Sequence, residues 1–392
     1  MNPHTLTLAG AATLFAGTLL LGPAVAADAP NGPPPGAAVA GAGSTPPAVA
    51  APAVAAPAGV ARLGLLPATF GGVLPCADCQ GIRQTLDLFA DGAFHWRSVY
   101  LGKPPTDAPD DVGRWMFASD DRTLLLFGGR EAPVRLVVRD DGALRLLDLQ
   151  GRPIQSSFTY ELRRAPGAFS AFEPRATLRG VYVHVADAPT FTDCATGQRL
   201  PVAPEADALA LERAYTAAKQ PPATPRLALV EGRVALRPPM EGPGPGPRPT
   251  LVVDHFLRLA DAGETCPAPP VNTPLPDTRW RLTQLEGAPV IGGARKREAW
   301  LQFDAAQSRV AGSGGCNSVT GAYALDGDAL RFSNVVGTMM ACGESAEQDR
   351  AFVAMLGKVQ RWLVAGPLLE FVDADDRLLA RFEATPATLR PR

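Results

Sequence analysis

Cys76 and Cys79 have two residues between them in the run Leu74-Pro75-Cys76-Ala77-Asp78-Cys79-Gln80-Gly81. At that spacing both sulfurs can turn to one side of a loop. Two thiolates so placed can share a soft ion such as Cu(I) or Zn(II). They can also oxidise reversibly to a disulfide. Cu(I) tolerates low coordination, whereas a closed zinc site takes four ligands, and no second cysteine pair accompanies this one in its part of the chain. Asp78 works against thiolate formation, which argues against a strong oxidant. His95 is a candidate third ligand, although a histidine beside Trp96 on a strand is expected to pack. Met339 and Met340, close to Cys342, are further soft donors. Methionines fill gaps in small cores, and core packing is the reading expected for this pair.

The six cysteines are Cys76, Cys79, Cys194, Cys266, Cys316 and Cys342. They fall two by two along the chain, and six cysteines allow fifteen pairings. Segregation favours Cys76–Cys79, Cys194–Cys266 and Cys316–Cys342, with the first pair alternatively reduced and metal-bound. The last two links would close loops worth roughly 4 and roughly 3.5 kcal/mol of chain entropy. Other motifs are weaker. Gly312–Gly315 lacks the Gly-Lys-Ser/Thr ending of a phosphate loop and reads as a tight turn. Asp193 beside Cys194 reads as a turn residue next to a disulfide. His184 and His255 lie in apolar strands. No nucleophile elbow, metalloprotease helix or dinucleotide fingerprint occurs, so no enzyme and no catalytic residue is expected.

Short alternating segments must position these residues. In the first unit they are Gln84–Phe89, Ala93–Tyr100, Gly113–Phe117, Thr123–Phe127, Val134–Val138, Leu144–Asp148 and Ser157–Arg163, with Asp-Gly turns between several of them. Period-2 alternation with regular turns predicts a small barrel. A second unit has strands around Val181, up to Cys194, over Arg226–Leu236 (broken at Gly232) and over Leu251–Leu259. A helix is predicted at Glu205–Lys219 and a Pro/Gly loop at Pro238–Pro249. A third has strands at Trp280, Ala299–Phe303, Thr320–Leu325, Leu330–Phe332, Leu368–Val372 and Leu378–Glu383, and a helix at Ala346–Val359. The fold class is therefore mainly β, in three small domains over 63–166, 175–268 and 275–386.

Lys plus Arg is 37 and Asp plus Glu 39, a net charge of -2, which offers no basic face to nucleic acid. Residues 5–22 are apolar and uncharged and precede Ala24-Val25-Ala26-Ala27, the pattern of a signal peptide over 1–27 with an A-x-A cleavage site. An uncleaved run of that length would approach the minimum for a membrane anchor. No cysteine precedes Cys76, so lipid attachment at the cleavage site is not expected. Residues 28–62, rich in Pro and Ala, read as a disordered tether. Export leads to the periplasm, where disulfides persist, with no stable membrane insertion after cleavage.

The run LPCADCQGI, the strand end LFADG, Gly113-Arg114-Trp115 and Leu147-Asp148-Leu149-Gln150-Gly151-Arg152-Pro153-Ile154 resemble the N-terminal domain of the NlpE family. These are bacterial envelope proteins associated with copper resistance and envelope-stress signalling. The resemblance implies a lipocalin-like barrel carrying the CxxC. Arg179-Gly180-Val181-Tyr182, FTDCATG, LERAY and the EGR strand resemble that family's C-terminal OB-like domain. The order TRWRL, GSGGCN, YALDGDALRF, TMMAC resembles the META domain of HslJ-type heat-inducible envelope proteins, an α+β unit.

The expected function is a non-enzymatic sensor or binder in copper resistance or the envelope-stress response, with Cu(I) as the candidate ion at Cys76 and Cys79. Its expected partners are envelope signalling or folding proteins. The alternatives are a lipocalin-like carrier of a small apolar ligand and a thiol–disulfide exchange protein. Cleavage should leave a mature chain beginning at Ala27 or Asp28. N-terminal sequencing of the exported protein tests this, and a chain starting at Met1 or Asn2 would contradict it.

Overall fold

Alternation of apolar and polar residues builds the first domain. In the computed structural model, which describes residues 58–385 apart from 105–107, 131, 186–187, 219–220, 222, 240–245, 262 and 291–296, it is a closed eight-stranded barrel. Its strands are β1 (Ala68–Leu74), β2 (Gly81–Leu88), β3 (Ala93–Leu101), β4 (Asp111–Phe117), β5 (Thr123–Phe127), β6 (Val134–Val138), β7 (Leu144–Leu146) and β8 (Glu161–Arg164). Each pairs antiparallel with the next, and β1 closes on β8 through Phe70 with Arg164 and Gly71 with Arg163. Phe70, Leu86, Phe94, Leu124, Leu136 and Leu144 are fully buried and fill the interior. β1 was not anticipated. Its central Gly71-Gly72 hides the strand pattern, yet a Cβ on Gly72 would stand 2.4 Å from the Glu161 carbonyl oxygen, so closure needs that glycine.

The expected signal peptide and most of the expected tether lie outside the described residues. The tether's last part does not run free: Ala58–Leu63 form helix α1. Val60 and Leu63, three apart and so on one face, pack onto the barrel core.

The second domain holds β9 (Arg175–Val183), β10 (Thr190–Asp193), β11 (Arg199–Pro201), helix α2 (Ala208–Ala217), β12 (Arg226–Arg237) and β13 (Arg248–Leu259). The sheet order is β11-β10-β9-β12-β13. A parallel bridge between Val202 and Leu251 brings its two edges together. β12 is not broken at Gly232 but runs through it with a shift of register against β13. The expected 238–249 loop is shorter than its composition suggests, because Arg248 and Pro249 already pair in β13; an edge strand tolerates proline. Residues 240–245 lie outside the description. Leu211 and Tyr215, four apart on α2, face the core.

The third domain is a nine-stranded sheet: β14 (Arg279–Leu285), β15 (Ala288–Pro289), β16 (Trp300–Asp304), β17 (Arg309–Ser313), β18 (Ser318–Asp326), β19 (Ala329–Gly337), β20 (Arg361–Ala365), β21 (Leu368–Val372) and β22 (Leu378–Ala384). β14 pairs with both β16 and β22, which curls the sheet on itself. Helix α3 (Ala346–Leu356) lies between β19 and β20 and buries Phe352, Met355 and Leu356 beside Trp280. β17 and β20 were not anticipated: the first ends in Gly-Ser, the second directly follows the helical pattern.

The third domain docks on the outer wall of the first. Leu125 of β5, fully buried, meets Ala118 and Ala365. Ser119 and Val364 exchange two hydrogen bonds of 2.9 Å. Beside them Arg135 of β6 donates to both oxygens of Glu370 at 2.6 and 2.9 Å, and Arg381 donates to the same carboxylate at 2.7 Å. Arg135 and Glu370 are both buried. Removing the shared anion leaves two cations without compensation in a dry interface, which costs about 3–5 kcal/mol. Glu370→Ala should therefore lower the urea midpoint strongly. Arg122→Ala, which loses only the exposed contact with Asp140, should change stability by less than about 1 kcal/mol. Equal effects would mean that the triad is not what holds the interface.

Candidate soft-metal and thiol site

The CxxC lies in the connection between β1 and β2. Pairing of Leu74 with Ile82 fixes both ends of this loop. Gly81 re-enters the sheet at φ 141°, where a Cβ would stand 2.6 Å from the Val73 side chain. The Gln80 amide donates to the Leu101 carbonyl at 3.1 Å, tying the loop to the end of β3. Pro75 and these two anchors leave Cys76 and Cys79 half-buried and Asp78 exposed. The two cysteines are joined as a disulfide, and Cys194–Cys266 and Cys316–Cys342 are joined as well.

The sulfurs of Cys76 and Cys79 and a carboxylate oxygen of Asp78 all lie within 4.8 Å of one another. Asp78 Oδ1 stands 3.5 Å from Cys76 Sγ. The other oxygen forms an ion pair with Lys103, whose hydrogen bond and charge hold the Asp78 carboxyl below its usual range. Sequence reasoning missed Lys103. Only the register does the work of finding it: Gly81 opposite Leu101 brings residue 103 next to residue 78. This cation opposes the effect of Asp78 on a neighbouring thiol. In the reduced form the donors are two soft sulfurs and one hard oxygen. Such a set suits an ion of low coordination number, and falls short of the four ligands of a closed zinc site.

His95 is not part of this cluster. It pairs with Asp87 across β2 and β3, six residues along the hairpin from Gly81, about 20 Å at the rise of a strand. Its ring packs against Phe89 at 4.7 Å and Phe172 at 6.1 Å. Met339 and Met340 correct the expectation of core packing: they are 99% and 50% exposed. Asn317 explains why. Its side-chain oxygen accepts the Met340 amide at 2.7 Å and the Thr338 hydroxyl at 2.9 Å, while its amide donates to Asp349 at 2.8 Å. The backbone of the loop is thereby pinned and the methionine side chains point out. Gly314 packs against Asp349 and Phe352 of α3, as a tight turn does. His184 lies near the rings of Tyr182 and Tyr215, and His255 is exposed on β13. Asp193 is buried, and its Oδ2 accepts the amide and hydroxyl of Thr196 at 2.8 and 2.7 Å.

A closed eight-stranded barrel with a CxxC loop at one end is joined to a five-stranded sheet whose edges are brought together by a parallel bridge. Comparison agrees domain by domain. Residues 70–157 match the NlpE N-terminal domain, 172–267 the NlpE C-terminal OB domain and 273–386 the META domain. Over 179 residues the chain is 41% identical to lipoprotein NlpE of Escherichia coli (strain K12), covering 45% of this chain and 72% of that protein. The chain belongs to the NlpE family, with a META domain following the two family domains. Among solved structures, that of the Cpx pathway activator NlpE from Escherichia coli is 35% identical, covering 52% of this chain and all of that one, with a TM-score of 0.22. An NMR structure of a protein from Burkholderia xenovorans is 24% identical over 32% of this chain and 97% of that one, with a TM-score of 0.25.

Burial pushes the His95 pKa from 6.5 down to about 4. The unfolded chain therefore takes up this proton first, and stability falls as pH drops from 6.5 towards 4, by up to about 3 kcal/mol. Burial raises the Asp87 pKa and acts in the opposite sense, but it does so with or without the imidazole. His95→Phe should flatten this part of the curve, measured by urea denaturation at pH 7, 5.5 and 4. Parallel curves for the two proteins would show that His95 is not the source.

Proposed function

We propose that this chain is an exported, non-enzymatic envelope-stress protein that responds to a soft metal ion or to thiol redox state through Cys76 and Cys79. The observation that carries the reading is the accessible loop on which two sulfurs and Asp78 converge within 4.8 Å. Reduction by a dithiol opens the disulfide, consuming two electrons and two protons. The resulting thiols lose their protons on binding Cu(I), so ion binding is conditional on the redox state of the loop. The related Escherichia coli protein is described as a Cpx pathway activator. By extension, the output proposed here is activation of an envelope-stress pathway through a signalling partner, with copper as the leading stimulus. The envelope is the proposed location, reached through the apolar 5–22 segment. The relative is a lipoprotein, and no helix among the described residues is long and apolar enough to cross a membrane.

Two features weigh against the alternatives. The interior of the first barrel is filled by Phe70, Leu86, Phe94 and their neighbours, which disfavours a carrier of apolar ligands there. The CxxC sits in a hairpin loop and not at a helix N-terminus, where thiolates of oxidoreductases are stabilised.

Competition of the reduced protein with a chromophoric Cu(I) chelator tests the reading. Cys76→Ser with Cys79→Ser should lower the Cu(I) stoichiometry by about one per chain, since two sulfurs suffice for Cu(I). Zn(II) should bind more weakly than Cu(I) at this site, because it wants four ligands. Unchanged Cu(I) stoichiometry and affinity in the double variant would place the ion elsewhere.

A further inference from the structure

Two arginines of the second domain stand together without a counter-charge. The bridge from Val202 to Leu251 runs parallel, and beside it the Ala203 amide donates to the Leu251 carbonyl at 2.8 Å. Three residues back along each strand lie Arg199 of β11 and Arg248 of β13. Both are exposed, and both line one cleft of about 660 Å³. Closing the sheet therefore brings two guanidinium groups to the same place, and like charges on neighbouring strands repel.

Other arginines of this sheet are neutralised. Arg237, opposite Arg248 across β12 and β13, donates to both oxygens of Glu205 at 2.8 and 3.2 Å. Arg233 pairs with Asp254, and Arg258 with Glu264 at 3.1 Å. Arg199 reaches only the Thr190 hydroxyl, at 3.4 Å, and among the described residues neither Arg199 nor Arg248 has a carboxylate partner. The acid lining the cleft is Asp91, from the β2–β3 turn of the first domain. Its two oxygens accept the Gln198 side-chain amide at 2.8 Å and the Ala93 backbone amide at 3.0 Å. Two cations thus face one anion that is already engaged. Pro189, Pro201 and Pro249 make much of the remaining wall, stiff because proline fixes φ.

We propose that this cleft binds a phosphate monoester, its phosphate held between Arg199 and Arg248. A carboxylate has two oxygens and is matched by a single guanidinium fork. A phosphate monoester presents three oxygens and close to two negative charges, so it can take a fork from each arginine. The volume lies within the roughly 300–1,000 Å³ of small-molecule sites and leaves room for the organic group against the prolines. A cation would meet like charge, and a neutral molecule would leave the repulsion unrelieved. Soluble phosphorylated compounds and lipid headgroups share this chemistry, and the experiment separates them. The proposal does not involve Cys76 or Cys79.

Titration calorimetry on the full chain with phenyl phosphate tests it, at low ionic strength because exposed charges are screened. Benzoate, with the same ring on a carboxylate, is the control. The expected result is one site per chain, with benzoate bound at least about tenfold more weakly. Arg199→Gln and Arg248→Gln should each weaken phenyl phosphate about tenfold or more, the order of one lost charge-assisted hydrogen bond. Arg331→Gln, at an exposed arginine of β19, should leave binding unchanged. Because Arg199 and Arg248 are exposed, their variants keep the fold, which unchanged urea midpoints verify. Vesicles of phosphatidylcholine containing phosphatidic acid form the second arm. Retention of the chain on them that phenyl phosphate reverses assigns the site to a lipid-borne phosphate, and without such retention the ligand is a soluble one. No calorimetric binding, equal affinity for benzoate, or affinity unchanged by Arg199→Gln or by Arg248→Gln would each overturn the proposal.

Discussion

A sheet of five to nine strands leaves a row of backbone donors and acceptors at each edge, where another unpaired strand can add. Each of the three domains meets this constraint by bringing its edges together. β1 pairs with β8, Val202 bridges Leu251, and β14 pairs with β22. The glycine at position 72 follows from the first of these closures. Domains of about 100 residues bury limited apolar surface, so curling each sheet around one core is also what lets Phe70, Phe191 and Trp280 be wholly covered.

Closure decides where chemistry can occur. A barrel packed with aromatic and aliphatic side chains offers nothing inside, so reactive groups belong to the loops and mouths at its ends. The CxxC occupies one such loop, held by the Leu74–Ile82 and Gln80–Leu101 contacts. The cleft that holds Arg199 and Arg248 is another such place, at the seam where the second domain closes. Cys194–Cys266 closes that domain at the point from which the chain leaves for the third.

Much of this was legible in the sequence because period-2 patterning and turn residues are local signals. QTLDLF and AFHWRSVY declare a hairpin by themselves, and the spacing of Cys76 and Cys79 allows the disulfide that joins them. What was missed is non-local or disguised. ATFGGVL lacks side chains at its centre because another strand passes close by. The apolar face of α1 is buried in the end of a Pro/Ala-rich run. Lys103 reaches Asp78 only through the β2–β3 register. The methionines at 339 and 340 were misjudged because their type suggests a core, whereas a single buried Asn317 dictates their backbone and turns them to solvent. The Arg135–Glu370 contact spans 235 residues of sequence, and nothing local marks either residue.

That contact also explains how a third domain can be added without covering the CxxC loop. In a closed barrel of eight strands, β5 is four strands from β1 in either direction. The META domain sits on β5 and β6 through Leu125 and Arg135, on the wall opposite the β1–β2 hairpin. Apolar contact alone would permit several placements on that wall. A buried arginine permits one, because any displacement of Glu370 leaves its charge uncompensated. Leu125 and Ala365 supply burial, the triad supplies register, and the CxxC loop remains open to solvent on the far side.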